Sequence, residues 1–218
     1  MRGEPPLQLS EVFYSIQGES SFAGYPCLFF RLSGCNLRCS YCDAKYTYEE
    51  PASLTTIEAL LAEAAKYPNA LIEITGGEPL LQEAVYPLMD ALLAAGRTVL
   101  LETNGSLSIG RVPQAVIKIV DLKCPDSGMT EKMDLSNLEL LTPQDELKFV
   151  LSSRPDYDWA KGMISEHRLA ARAKLILSPV IDALAPAQLA QWLMDDGLPA
   201  RLQLQLHTLL WPGMKRGV

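Results

Sequence analysis

Short apolar runs rich in β-branched and aromatic residues alternate along the chain with stretches of helical periodicity. The runs predict strands at Cys27–Arg31, Ala70–Ile74, Thr98–Glu102, Val116–Asp121, Leu147–Leu151, Ala173–Leu177 and Leu202–Leu206. Between them, Thr55–Lys66 reads as a helix: Thr55 and Glu58 stand at capping-box spacing, and Ile57, Leu60, Leu61 and Ala64 share one face. A second helix is predicted over about Val85–Ala95, stopped by Gly96, and a third over about Ala187–Asp195, ended by Gly197. A fourth falls within Asp156–Arg172. Near-continuously apolar strands separated by helices imply βα units and a buried parallel sheet. The expected class is α/β, a closed or partly closed βα barrel.

The polar and glycine-rich words fall directly after the predicted strands. A cysteine-rich loop follows the first, Thr75-Gly-Gly-Glu-Pro79 the second and Glu102-Thr-Asn-Gly105 the third. Asp121-Leu-Lys-Cys-Pro125 closes the fourth, Ser178-Pro-Val-Ile-Asp182 the sixth, and His207 ends the alternating run Arg201–His207. In a parallel βα architecture these positions share one end of the sheet, where active sites lie. One site is expected there.

Composition narrows the class. With 48% hydrophobic and 21% charged residues the chain is not disordered, and 218 residues suit one domain. No stretch approaches the roughly 18 apolar residues of a membrane helix, and Met1-Arg-Gly-Glu-Pro-Pro6 lacks an apolar signal core. A cytoplasmic protein with no membrane partner is expected. The net charge of −7 lacks the basic footprint of a nucleic-acid binder, so no nucleic-acid partner is expected.

The cysteines change the picture most. There are five, at positions 27, 35, 39, 42 and 124, and an odd number without a secretion signal argues against a disulfide framework. Cys35-Asn-Leu-Arg-Cys39-Ser-Tyr-Cys42 lets a loop wrap so that three thiolates converge on one soft metal centre. Zinc would want a fourth Cys or His, and Cys27, Cys124, His167 and His207 form no second paired motif. Three cysteines on a tetra-iron cube leave one iron open to an exogenous ligand, a catalytic arrangement. A structural zinc completed by a distant His is the competing reading. Cys27 and Cys124 read as buried small hydrophobes.

Gly76 and Gly77 remove side chains where a strand turns, so that backbone groups approach a ligand, and Glu78 adds a carboxylate. Gln17 offers donor and acceptor and Glu19 two acceptors, a pair suited to an amide-bearing heterocycle. Arg31, inside the apolar run Leu28-Phe-Phe-Arg-Leu32, wants an anion, either an internal carboxylate or a substrate's. Lys123 and Lys148 share that ambiguity, with an ion pair favoured for Lys148. His207 stands either as a structural residue or as part of the site's lining.

Together these words resemble the radical S-adenosylmethionine (SAM) superfamily: Gly34 before Cys35-x3-Cys39-x2-Cys42, Tyr41 before the third cysteine, and Thr75-Gly-Gly-Glu-Pro79. Within it, Phe-Tyr-Ser-Ile-Gln-Gly-Glu19, Gly24 with Pro26, Phe-Phe-Arg-Leu32, Cys-Asp43, Glu-Thr-Asn-Gly105 and Asp-Glu-Leu-Lys148 are similar to the family of 7-carboxy-7-deazaguanine synthases. So is the ending Gln-Leu-His207 with Arg-Gly-Val218. The resemblance spans nearly the whole chain. It implies a partial (β/α)6-type barrel with parallel strands and helices outside, in one domain. A strand and extension would occupy about 1–26, the core about 27–206 and a tail 207–218.

The implied activity is that of a carbon–nitrogen lyase. It would turn 6-carboxy-5,6,7,8-tetrahydropterin into 7-carboxy-7-deazaguanine with loss of ammonia, on the route to queuosine or another 7-deazapurine. Cys35, Cys39 and Cys42 would hold a 4Fe–4S cluster, which with SAM generates the radical, so no side chain is assigned a catalytic step. Tyr41, Asp43, Gly76, Gly77, Glu78, Asp121, Lys123 and Ser178 would bind SAM. Ile16, Gln17, Gly18, Glu19, Arg31, Thr75 and His207 would bind the pterin, with Arg31 on its carboxylate. A homodimer and an external flavodoxin or ferredoxin are implied as well. Many relatives carry a magnesium-binding Thr directly after Cys-Asp, where this chain has Ala44. Magnesium is left with Asp43, substrate oxygens and water, so no strict requirement is expected. Two alternatives share parts of the pattern. A glycyl-radical activase would lack the Gln17-Gly-Glu19 and Arg31 constellation, and a non-catalytic zinc or iron–sulfur protein with a structural or electron-transfer role would be told apart by anaerobic reconstitution.

Overall fold

The computed structural model describes residues 5–214 and 216–218. Met1–Glu4, most of the segment expected to lack a signal core, lie outside the described residues. In chain order the elements are β1 (Leu7–Ile16), β2 (Pro26–Leu32), α1 (Tyr46–Glu49), β3 (Ser53–Thr55), α2 (Ile57–Ala65), β4 (Leu71–Gly76), α3 (Val85–Ala94), β5 (Val99–Thr103) and β6 (Ile117–Asp121). They continue as α4 (Asn137–Leu140), β7 (Glu146–Leu151), α5 (Arg154–Glu166), β8 (Lys174–Pro179), α6 (Pro186–Asp196), β9 (Arg201–Leu202) and α7 (Leu206–Leu210).

Among the described residues nine strands join one sheet in the order β3-β1-β2-β4-β5-β6-β7-β8-β9. Every neighbouring pair from β2 to β9 is parallel. At the other edge β1 runs antiparallel to β2, and β3 antiparallel to β1. The partial architecture expected from the sequence is present, and the sheet stays open: among the described residues no ladder joins β9 to β3.

Strand residues alternate between two faces. Leu28, Phe30 and Leu32 of β2, Ile72 and Ile74 of β4, and Leu147, Phe149 and Leu151 of β7 pack with Leu60, Leu88, Leu92, Tyr157 and Leu189 of the helices in one buried core. The intervening positions, Phe29, Arg31, Glu73, Thr75, Glu102 and Lys148, stand on the opposite face. The strands are therefore apolar towards the helices and largely polar on the other side, not apolar throughout.

Two local expectations are corrected. The cap of α2 is Thr56, whose hydroxyl accepts from the Ala59 amide at 3.3 Å, not Thr55. Thr55 instead ends β3, paired with Leu7. The strand predicted over Leu202–Leu206 shrinks to Arg201–Leu202, and His207 lies in α7 rather than at a strand end. The cause is a change of partner. Gln203 N still donates to Leu177 O of β8 at 2.9 Å, but Leu206 N donates to Gly18 O at 3.0 Å, drawing the chain off the sheet. Gly96 (φ +74°) and Gly197 (φ +56°) end α3 and α6 as expected. No helix among the described residues is long and apolar enough to cross a membrane.

Candidate active site

The cysteine loop leaves β2 at the end of the sheet where β4, β5 and β6 also exit, and backbone bonds tie it to their loops. Gly77 N donates to Leu32 O at 3.2 Å, Glu78 N to Gly34 O at 2.8 Å, and Ser40 N to Ser127 O at 3.1 Å. The Gly76–Gly77 turn passes so close to this loop that a Cβ would stand 2.1 Å from Leu32 O at Gly76 and 2.1 Å from Gly34 O at Gly77. The glycines thus serve the crossing of two exits, and the amides of Gly77 and Glu78 are spent on it. Backbone contact with a ligand falls to the carbonyls. Glu78 is fully buried, and its carboxylate accepts from Leu80 N (3.0 Å), the Thr103 hydroxyl (2.8 Å) and Asn104 N (2.7 Å). Burial raises its pKa to about 7 despite those donors. Glu78 holds the loops rather than facing a ligand.

All five cysteines are free thiols, with Cys35, Cys39 and Cys42 half-buried and Cys27 and Cys124 buried. Leu37 N and Asn104 Nδ2 point at Cys35 Sγ, at 3.4 and 3.7 Å. Such donors suit a sulfur carrying negative charge. Burial raises the Cys39 and Cys42 thiols, while Lys123 pulls Cys39 down. Metals bind the thiolate, so loading must release protons here. No three Cys, His, Asp or Glu side chains among the described residues are grouped as ligands of a single ion. The three-thiol donor set with its N–H···S contacts fits an iron–sulfur cluster with one open iron.

The face of the sheet turned from the helices is crossed by the segment between β1 and β2. Gln17 Nε2 donates to Glu73 of β4, Glu19 accepts from Lys148 Nζ of β7 at 3.0 Å, and Ser21 N reaches both oxygens of Glu146 at 3.0 Å. From β4 to β7 this segment walls the open side. Lys148 also pairs with Glu102, which accepts from the Thr75 hydroxyl at 3.0 Å. Burial disfavours the Lys148 ammonium, yet Asp121, Glu102 and Glu19 hold its pKa well above the lysine value. Burial, reinforced by Glu102 and Glu19, pushes Glu73 well above the carboxylate range. Asp121 pairs with Lys123 through Oδ2, while its buried Oδ1 accepts no hydrogen bond and is ion-paired with Lys148 Nζ at 3.4 Å. Lone pairs on that oxygen stay available to a ligand's N–H or O–H.

The residues named from sequence gather here with corrections. The Gln17 side chain is partly committed, since Oε1 accepts from Glu19 N at 2.7 Å and Nε2 donates to Glu73, which leaves one N–H and one lone pair. Ile16 ends β1 opposite Pro26. Gly18 is buried against His207, whose Nδ1 would lie 2.8 Å from a Cβ there, so His207 lines the wall although its strand did not form. Thr75 and Ser178 are buried at the ends of β4 and β8. Arg31 donates from Nε to Glu11 at 2.9 Å, so an internal carboxylate holds one edge of its guanidinium. Tyr41 donates to Val150 O at 3.0 Å, and Asp43 is exposed on the cysteine loop. Glu11, Glu73, Glu102, Glu146 and Asn104 went unassigned. For Glu73 a signal existed: a charge inside Leu71-Ile-Glu-Ile74 carries the same message as Arg31 in its own run.

A family model described as the radical SAM superfamily matches residues 31–162. The 7-carboxy-7-deazaguanine synthase of Chlorobaculum tepidum is 44% identical over 221 residues, 100% of both chains. That of Koribacter versatilis is 44% identical over 227 residues, covering 97% of this chain and 100% of its own. Among solved structures, QueE from Escherichia coli is similar at 24% identity and TM-score 0.75, covering 91% of this chain and 94% of that one. Streptococcus suis SuiB bound to S-adenosylmethionine shares the fold at 12% identity and TM-score 0.52, covering 78% and 44%.

Proposed function

Because the chain belongs to the radical SAM superfamily and, within it, to the 7-carboxy-7-deazaguanine synthases, we propose that it converts 6-carboxy-5,6,7,8-tetrahydropterin to 7-carboxy-7-deazaguanine with release of ammonia. The observation that carries the site-level reading is one polar face, bearing Arg31, Thr75 and Asp121 and covered by Glu19, beside the three-thiol loop.

Cys35, Cys39 and Cys42 would hold a 4Fe–4S cluster, which supplies an electron to SAM so that SAM yields the radical that takes hydrogen from the pterin. The protein's own part is positioning and exclusion of water. Arg31 binds the 6-carboxylate in a charge-assisted pair. Glu19 accepts from the amide-bearing edge of the ring, with Thr75, Ile16, Gly18 and His207 around it and Gln17 supporting from behind. Gly76 and Gly77 meet SAM through carbonyls. Tyr41, Asp43, Asp121, Lys123 and Ser178 complete its surroundings, and Glu78 acts only by holding the turn. With Ala44 beside Asp43, magnesium is dispensable. The reading includes a single domain with extension 1–26, core 27–206 and tail 207–218, acting as a cytoplasmic homodimer fed by a flavodoxin or ferredoxin.

Anaerobic reconstitution followed by carboxypterin, SAM and a reductant tests this. A broad visible iron–sulfur band and formation of the deazaguanine are expected, with activity surviving a magnesium chelator. SAM cleavage without deazaguanine would refute the substrate assignment. One bound zinc and no visible band would refute radical chemistry, and loss of activity with the chelator would refute the reading of Ala44.

A further inference from the structure

The role inferred for Glu11 rests on the assignment of Arg31 to the substrate carboxylate. Arg31 Nε donates to Glu11 Oε1 at 2.9 Å. Glu11 faces Arg31 across the β1–β2 ladder, so strand register itself makes the pair. The carboxylate is held on both oxygens by donors from elsewhere: the Tyr46 hydroxyl reaches Oε1 at 2.8 Å, and Gly217 N reaches Oε2 at 3.2 Å. Tyr46 opens α1, just after the cysteine loop, and Gly217 lies in the C-terminal tail. Arg216 fastens that tail, with its guanidinium 4.2 Å from the Tyr46 ring centroid and paired with Glu50. On the other side of β2, Arg31 stands opposite Thr75 of β4, and the charges of Glu102 and Asp43 also act on it. Arg31 therefore stands between Glu11 and the polar face.

A guanidinium is a rigid fork, and a carboxylate seated at Nε leaves the two Nη groups for a second, bidentate partner. We propose that Glu11 is a positioning residue for substrate recognition. It turns the Nη edge of Arg31 towards the 6-carboxylate, and it is itself clamped by Tyr46 and the tail amide of Gly217. Orientation is the function, since a neutral acceptor at the same place would serve as well.

The test uses reconstituted holoenzyme and the carboxypterin, with iron content checked in every variant. Glu11→Ala should raise KM and Kd about tenfold with kcat changed less than about threefold. Glu11→Gln, which keeps an acceptor for Nε, should stay within about threefold of the parent. In an Arg31→Ala background Glu11→Ala should add nothing. Deleting residues 216–218, which removes the Gly217 donor without touching the sheet, should raise KM by about threefold. Substrate affinity unchanged by Arg31→Ala would defeat the underlying reading of Arg31. If Arg31→Ala weakens binding but Glu11→Ala does not, the role of Glu11 alone is overturned. The same holds if Glu11→Ala acts equally without Arg31, or if Glu11→Gln is as damaging as Glu11→Ala. No effect of the deletion would overturn the clamp.

Discussion

Gly76 has φ +145°, and a Cβ there would stand 2.1 Å from Leu32 O, a backbone atom that cannot yield. Gly24 has φ +96° and nothing within 4 Å. Gly76→Ala should therefore cost about 3 kcal/mol or more, and Gly24→Ala only about 1–2, read from denaturant midpoints. A pH experiment addresses Glu78, whose folded pKa of about 7 lies above the ordinary value of 4.5. The folded chain binds the extra proton between those values. Glu78's contribution is thus complete below pH 4.5 and lost as pH rises through about 7. Relative to Glu78→Gln, the parent should lose up to about 3 kcal/mol of unfolding free energy across that window. A parallel pH course for the two proteins would exclude this. Single-residue signals were uneven guides. Arg31 was legible because a charge inside an apolar run must find an anion, whereas the bond from Gln17 Nε2 depends on Glu73, far away in sequence.

The parallel strands β2 and β4–β8 were legible to within two residues because burial against helices leaves long apolar runs, and α3 and α6 because glycines stop them. Where partnership rather than composition decides, the reading failed. Leu202–Leu206 alternates like a strand, yet a strand needs an edge to pair with, and after Gln203 the chain bonds to Gly18 instead. Three residues of β3 carry too short a pattern to notice. The register of the α2 cap was one residue off because Thr55 and Thr56 are chemically equivalent and only the ladder to Leu7 separates them. Thr56→Ala should lower stability by about 1 kcal/mol, and Thr55→Ala by less. An equal loss in both variants, measured by thermal or chemical unfolding, would contradict the observed cap.

At the scale of the molecule, the sheet stays open and a segment, not strand pairing, walls its open side. Lys148 is its central tie, bonding Glu19 of that segment, Glu102 of β5 and, at 3.4 Å, Asp121 of β6. Lys148→Met would leave three carboxylates around an apolar side chain, and a loss of about 3–5 kcal/mol is expected in chemical denaturation. A near-neutral outcome would mean that the tie is dispensable. The end at which the site lies was legible from the order of words after strands. The wall was not, since it joins the two ends of the chain.

That wall has a consequence in time. Glu19 meets Gln205 across 186 positions, and Glu11 meets Gly217 across 206. Contacts of such separation form late, because the intervening chain must already be ordered before closing them is favourable. The cysteine loop reaches no further than Val150 for its partners, through Ser127, Met129 and the Tyr41 hydroxyl. During synthesis, N-terminus first, that loop meets its last partner, Val150, about 55 residues before Gln205 is made. Biogenesis therefore separates a stage at which metal can be loaded from a later one at which substrate can be held.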